Sequence, residues 1–218
     1  MSDHENHTFT GSWNFTKTTA NGIIRQENLT IEKIGQTYKC AWRIDEGNSQ
    51  NDYAGIGMLV DNQLLISRYS IQAPFGGIGL YRQIGDSRSN SALWADTRDF
   101  HSLGSGIALR ENVSDIFDGS YTVKYFMKGK ETASFNLTIQ KLENNNLYSL
   151  TWAKENTIVL HGIGMINNGQ MALAWGQLSV DYELIILNIG KESGKLILHG
   201  PSALLSNPCT TEKIYSKC

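Results

Sequence analysis

Two histidines are the first candidates for chemistry in this chain. His161 and His199 each lie in a Leu-His-Gly triplet, and the corresponding positions of an earlier repeat hold Ala54 and, within one residue, Ala95. On neighbouring strands, two imidazoles can bind a metal ion or transfer a proton. A zinc site needs a further ligand, and no HxH, HExxH or CxxC spacing supplies one. We therefore expect no metal site and no cofactor.

The tryptophans suggest a different kind of site. Trp42 and Trp152 lie in runs of alternating apolar and polar residues, and Trp94 and Trp175 lie in other predicted strands of the chain. Large aromatic side chains usually fill the core, but at the mouth of a barrel their rings can stack on a small ligand. The candidate ligand-binding residues are these four tryptophans together with His161 and His199.

Other motifs point to structure rather than catalysis. The segments 55–57 and 162–164 both read Gly-Ile-Gly, but the third glycine of a dinucleotide fingerprint is missing. Strand glycines of this kind mark places where a large side chain crosses the backbone, and Trp42 and Trp152 are the expected crossing partners. No Gly-x-Ser-x-Gly elbow occurs.

A cluster of polar residues lies near the middle of the chain. Asp96, Asp99 and His101 resemble acid–base machinery, but a polar linker has the same composition, and we favour the linker. No residue is predicted to be catalytic.

The sequence contains an internal repeat. Asn28-Leu29-Thr30-Ile31 reappears unchanged at 136–139, 108 residues later. Gly-Ser-Trp at 11–13 returns as Gly-Ser-Tyr at 119–121, and Tyr-x-x-x-Trp at 38–42 returns at 148–152. Conserved order at a nearly fixed offset predicts an internal duplication. We assign the two β-barrel-like repeats to residues 9–111 and 117–216.

Alternating apolar residues between Gly- and Asn-rich turns predict antiparallel strands. Turn signals include 21–22, 47–48, 85–86, 144–146 and 193–194. The predicted strands are about 11–18, 22–34, 37–44, 52–60, 63–70, 76–84, 91–96, 104–111, 119–127, 130–142, 147–154, 157–166, 170–177, 181–189, 195–199 and 210–216. Closing a meander removes its exposed edges. The predicted fold class is therefore all-β, with two tandem homologous antiparallel barrels; one larger shared barrel is the alternative.

Composition narrows the possible partners. The chain has 218 residues, 40% of them hydrophobic and 18% charged, and its formal net charge is −2. Such a balance indicates a globular protein without the basic field that nucleic acid requires. The N-terminus lacks the pattern of a signal peptide, so we expect a cytoplasmic protein without a membrane span, although signal-independent secretion stays open. Self-association into a homodimer is a further expectation.

Each repeat resembles the small barrels of the avidin and lipocalin kind. The similarity rests on Gly-Ser-Trp at 11–13 opening a meander rich in glycine and tryptophan. The unit of Gly-x-Trp/Tyr, Tyr-x-x-x-Trp and Gly-Ile-Gly-Met is also similar to bacterial tandem β-repeat proteins. The resemblance implies a binding role, but the repeats are shorter than those barrels and match none of their ligand-contact motifs.

Three functional hypotheses follow. The first is a non-enzymatic binding module for a small apolar ligand. The second is a protein–protein interaction module, such as a secreted bacterial factor, which barrels filled by their own side chains would favour. The third is an enzyme or metal site in the second repeat that uses His161 and His199.

Overall fold

The structure is a computed structural model that describes residues 8–18, 24–46, 49–84, 89–110, 116–143, 146–192 and 195–218. Its strands, in chain order, are β1 (Gly11–Thr18), β2 (Ile24–Ile34), β3 (Thr37–Glu46), β4 (Ser49–Val60), β5 (Gln63–Ser70), β6 (Gly76–Ile84), β7 (Ser89–Asp96), β8 (Gly104–Arg110), β9 (Gly119–Met127), β10 (Lys130–Lys141), β11 (Leu147–Lys154), β12 (Thr157–Asn167), β13 (Gln170–Gly176), β14 (Tyr182–Glu192), β15 (Lys195–Leu204) and β16 (Thr210–Lys217). Within the described ranges, no helix is long and apolar enough to cross a membrane.

The observed strands confirm the predicted series. Each predicted strand has a counterpart, and the largest difference is β15, which continues to Leu204 instead of ending near residue 199. The predicted turns at 21–22, 47–48, 85–86, 144–145 and 193–194 lie outside the described residues.

The strands form two closed antiparallel barrels of eight strands each. The barrel that contains both ends of the strand series, here called the terminal barrel, has the order β1-β16-β15-β14-β5-β4-β3-β2. The other, here called the central barrel, has the order β10-β11-β12-β13-β6-β7-β8-β9. The all-β class with two barrels is confirmed, and the alternative of one larger barrel is excluded.

The barrels do not coincide with the sequence units 9–111 and 117–216, so the expectation that each unit closes its own barrel needs correction. The terminal barrel joins β1–β5 to β14–β16, and the central barrel joins β6–β8 to β9–β13. In the two barrels, β5 and β13 occupy equivalent places, and each is the strand after which the chain crosses to the other barrel. Each can pair with the strand that follows the other, so β5 pairs with β14 and β13 pairs with β6.

Tyr182 ties together the two segments that cross between the barrels. Residues 71–75 lead from β5 to β6, and residues 177–181 lead from β13 to β14. The Tyr182 hydroxyl accepts a hydrogen bond from the Gln177 amide at 2.9 Å and donates one to the Phe75 carbonyl at 3.0 Å. Both crossings are therefore fixed by one buried side chain.

Three apolar cores hold the molecule together. One lies inside each barrel, and the third lies between them, where Ile56 and Leu184 of the terminal barrel share a cluster with Ile78 and Ile163 of the central barrel. Since these side chains are all fully buried, the barrels share a continuous interface with the character of a domain core.

An equivalent aromatic side chain is fixed by a local hydrogen bond inside each barrel. In the terminal barrel, Trp13 is fully buried and its Nε1 donates to the Phe9 carbonyl at 2.9 Å. In the central barrel, the Tyr121 hydroxyl donates to the Phe117 carbonyl at 2.7 Å. Each bond links an aromatic residue to the fourth residue before it.

The terminal barrel also contains a buried ionic cluster. Glu27 lies 3.6 Å from both Lys213 Nζ and Arg68 Nη1, and it accepts a hydrogen bond from the Tyr215 hydroxyl at 3.0 Å. Glu183 pairs with Arg68 and lies 3.5 Å from Lys213 Nζ. Charges buried this deeply are stable only when they are mutually paired.

Replacing Glu27 by Gln is expected to lower the free energy of unfolding by about 3 kcal/mol, because Arg68 and Lys213 would then share only one carboxylate. Urea denaturation at neutral pH measures the change. Glu32→Gln on the exposed face of the same strand is the matched control. A loss no larger than that of the control would mean that the cluster is not held by its charges.

Acid pH is expected to remove the stabilisation that the Glu27 carboxylate gives to the fold. Burial raises the pKa of Glu27, but Lys213, Arg68, Arg25 and Tyr215 together lower it more, so the net pKa lies below the ordinary 4.5. A carboxylate with a lowered folded-state pKa stabilises the fold above its unfolded pKa and loses that effect as the pH falls through the folded value. The stability difference between the wild type and Glu27→Gln should therefore shrink progressively below pH 4.5. A difference unchanged at acid pH would contradict this assignment.

Candidate functional site

A large cavity opens inside the central barrel. Its volume is about 630 Å³, within the range of roughly 300–1,000 Å³ that small-molecule sites occupy. The indoles of Trp94, Trp152 and Trp175 form much of its wall. Phe75, Tyr81, Tyr125 and Phe135 add four more rings.

The aromatic wall is built from contacts between ring edges and ring faces. The ring centroids of Trp94 and Trp175 are 6.4 Å apart with an interplanar angle of 67°. Trp152 lies 6.4 Å from Trp175, and Tyr125 lies 5.8 Å from Trp94. Such tilted and edge-to-face contacts are the favoured geometry of aromatic pairs. The rings therefore support one another, and the space beside them stays open.

Glycines on neighbouring strands create the room for two of the indoles. Trp175 is directly opposite Gly77, and Trp94 is directly opposite Gly104. A Cβ atom at either glycine would overlap the indole ring that faces it. Each tryptophan therefore lies flat over a bare backbone, which leaves the middle of the barrel unfilled.

The terminal barrel fills the equivalent positions with polar and charged side chains. Arg68 faces Glu183 across β5 and β14, where the central barrel has Trp175 facing Gly77. Ser202 faces Thr211 across β15 and β16. At the equivalent place, the central barrel has Trp94 facing Gly104. One backbone plan thus carries an ionic cluster in one barrel and a cavity in the other.

Three polar side chains form a hydrogen-bonded group on the cavity wall. Trp152 Nε1 donates to the Tyr125 hydroxyl at 2.7 Å. The hydroxyls of Tyr81 and Tyr125 are 2.5 Å apart. Burial raises the pKa of Tyr125 to about 12 and that of Tyr81 well above its ordinary value. Both phenols are therefore protonated at neutral pH.

Charged residues surround the mouth of the cavity. Asp96 is bound by Arg98, with Nη2 2.5 Å from Oδ2, and the guanidinium carbon lies 4.9 Å from the Phe75 ring centroid. Asp99 accepts a hydrogen bond from the His101 amide at 2.9 Å, and this bond is the main cause of its lowered pKa. The predicted polar linker is thus an ordered turn that borders the cavity.

The turn at the mouth rests on the terminal barrel. The Gln36 amide donates to the His101 carbonyl at 3.3 Å, and Thr37 Oγ1 donates to the Phe100 carbonyl at 2.5 Å. Gln36 Oε1 also accepts a hydrogen bond from the Leu103 amide at 3.1 Å. The β2–β3 hairpin of one barrel therefore positions the mouth of the other.

The structure brings three of the predicted ligand-binding residues together and separates a fourth. Trp94, Trp152 and Trp175 line one cavity. Trp42 lies inside the terminal barrel, 2% exposed, with the Arg68 guanidinium carbon 5.8 Å from its ring centroid. The predicted crossing of glycine by tryptophan is confirmed, because a Cβ at Gly55 would lie 2.7 Å from the Trp42 ring.

The two histidines do not form the pair that the third hypothesis requires. His161 is on β12 of the central barrel and His199 is on β15 of the terminal barrel, and these strands do not pair. His161 Nε2 lies 2.8 Å from the Val180 carbonyl, and its ring packs edge-on against Tyr182. His161 is therefore part of the crossing between barrels. In the described part of the chain, no group of three or more His, Cys, Asp and Glu could hold a metal.

Sequence reasoning missed the residues that complete the cavity. Tyr125, Phe135 and Lys154 all line it. None of them belongs to a sequence motif that would single it out from the other aromatic and charged residues of the chain. The available signal was the alternation that places Phe135 and Leu137 on the same face of β10 as Ala133. This signal identifies the inner face but does not distinguish a cavity from a filled core.

Comparisons with protein families, with curated proteins and with solved structures give no match for the chain. The case for a site therefore rests on its geometry.

The glycine opposite Trp94 gives a direct test of how the cavity is built. Gly104→Ala is expected to push the indole off its place and to break its 2.9 Å hydrogen bond to the Ser105 carbonyl. Overpacking of this kind costs about 1–3 kcal/mol, to be measured by urea denaturation with near-ultraviolet circular dichroism as the probe of the indoles. Ser105→Ala on the exposed face of the same strand is the control. Equal stability and equal spectra for the two variants would show that the glycine is not needed.

Proposed function

We propose that the protein is a non-enzymatic binding module whose central barrel holds one small, largely apolar ligand with aromatic character. The observation that carries the proposal is the cavity of about 630 Å³ walled by the indoles of Trp94, Trp152 and Trp175. An apolar, concave space with a few fixed polar groups is the usual form of a small-molecule site.

The contrast between the two barrels supports this function. Barrels of eight strands can be filled by their own side chains, and the terminal barrel is filled in this way by apolar residues and by the ionic cluster around Glu27 and Arg68. The central barrel has the same strand plan but places Gly77 and Gly104 where side chains would close the space. Open volume lowers stability, so a cavity kept beside a filled twin favours a role in binding.

Binding of a hydrocarbon probe tests the proposal. Diphenylhexatriene, which fluoresces in apolar surroundings, is expected to bind saturably with one site per chain and to quench the tryptophans. Ala133→Trp should weaken this binding by about tenfold or more, because an additional indole in the cavity would take up the space the probe needs. Ala133 lines the cavity, whereas its neighbour Ser134 is exposed.

Ser134→Trp is therefore the matched control, since it adds the same ring on the outside of the barrel. Equal affinities for the two variants would place the probe elsewhere and count against the proposal. If no saturable binding occurs in the wild type, the result would favour the alternative of a protein–protein interaction module.

A further inference from the structure

Two hydrogen-bond donors on the cavity wall have no acceptor among the described residues, and the first belongs to the tyrosine pair. The hydroxyls of Tyr81 and Tyr125 carry one hydrogen each, and only one of them is used in the 2.5 Å bond between the two oxygens. Trp152 Nε1 supplies a further donor to Tyr125, not an acceptor. One hydroxyl hydrogen therefore has no acceptor among the described residues. Its raised pKa keeps the phenol protonated, so this donor persists at neutral pH.

The indoles add a second unused donor. Trp94 Nε1 donates to the Ser105 carbonyl at 2.9 Å, and Trp152 Nε1 is used by Tyr125. Trp175, which is 9% exposed and lines the same cavity, has no hydrogen-bond partner for Nε1 within the described ranges. An indole nitrogen can only donate.

The charges at the mouth leave one cation uncompensated. Asp96 is paired with Arg98, and Asp99 lies 4.0 Å from Lys128. Lys154 Nζ lies over the Phe135 ring, 5.2 Å from its centroid. No carboxylate of the described residues lies within ion-pair distance of this ammonium group.

From these two donors without an acceptor, and from the unpaired ammonium group of Lys154, we infer that the ligand is an aromatic compound that carries hydrogen-bond acceptors, a carbonyl toward the tyrosine pair and an anionic group such as a carboxylate toward Lys154. This inference rests on the proposed function, because it concerns the same cavity. A buried donor left without an acceptor is costly, so a ligand that supplies an acceptor to the tyrosine pair gains affinity over an apolar molecule of the same shape. Lys154 is exposed, and its ammonium group adds a Coulombic attraction for an anionic ligand. An ammonium group would supply no acceptor to the tyrosine pair and would place a like charge beside Lys154.

Four probes with the same naphthalene ring test the inference on the full chain: acetylnaphthalene, isopropenylnaphthalene, naphthoate and naphthylmethylammonium. The first two are isosteres that differ in a carbonyl oxygen against a methylene. Each is titrated in competition with diphenylhexatriene, and the affinities are corrected for partition between water and cyclohexane. The ketone is expected to bind about fivefold tighter than the alkene, and the ammonium probe is expected to bind weakest.

Lys154→Met should weaken naphthoate by about fivefold and leave the ketone unchanged. Lys39→Met, at an exposed position on the terminal barrel, should change neither. If all probes compete in the order of their partition, the binding function stands and this inference is wrong. If the ammonium binds as tightly as the ketone, the inference is also wrong. If none of the probes competes and diphenylhexatriene itself does not bind, the proposed function fails with it.

Discussion

Backbone pairing of β5 with β14 and of β13 with β6 is the constraint on which the rest of the structure depends. Without these two interfaces, both sheets would stay open and expose unpaired edges, which is a strong source of aggregation. The exchange also places the outer faces of these strands against each other, so that Leu184 of β14 and Ile78 of β6 share the core between the barrels. Closure of each barrel and association of the two are therefore one event.

The two barrels have the same strand order, but their interiors are packed in different ways. The terminal barrel places Arg68 and Glu183 at positions where the central barrel has Trp175 and Gly77. A charge pair fills its space and tolerates burial through mutual attraction. An indole that lies over a glycine packs against the barrel wall and leaves the middle of the barrel open. The difference between a solid barrel and a hollow one thus comes from a small number of inward positions and leaves the strands unchanged.

Much of the fold could be predicted from the sequence because strand formation is local. Alternation located all the strands, and the glycines at 55 and 162 correctly signalled rings crossing the backbone. Pairing between strands is not local. Since β5 and β13 are near-equivalent, nothing in their residues indicates which later strand each will join. The opposition of Trp175 and Gly77, and the separation of His161 from His199, both depend on that choice. The sequence therefore identifies the tryptophans of the site but does not predict the cavity that they line.

The exchange of strands also limits how the two halves of the chain can change. Each half contributes to both barrels, so a substitution in one half acts on the hollow barrel or the solid one according to its strand and not according to its half. Neither half can be lost while one intact barrel survives. The hollow interior and the solid one are therefore built from the same two halves of the chain, and a change that unfolds either half opens both barrels.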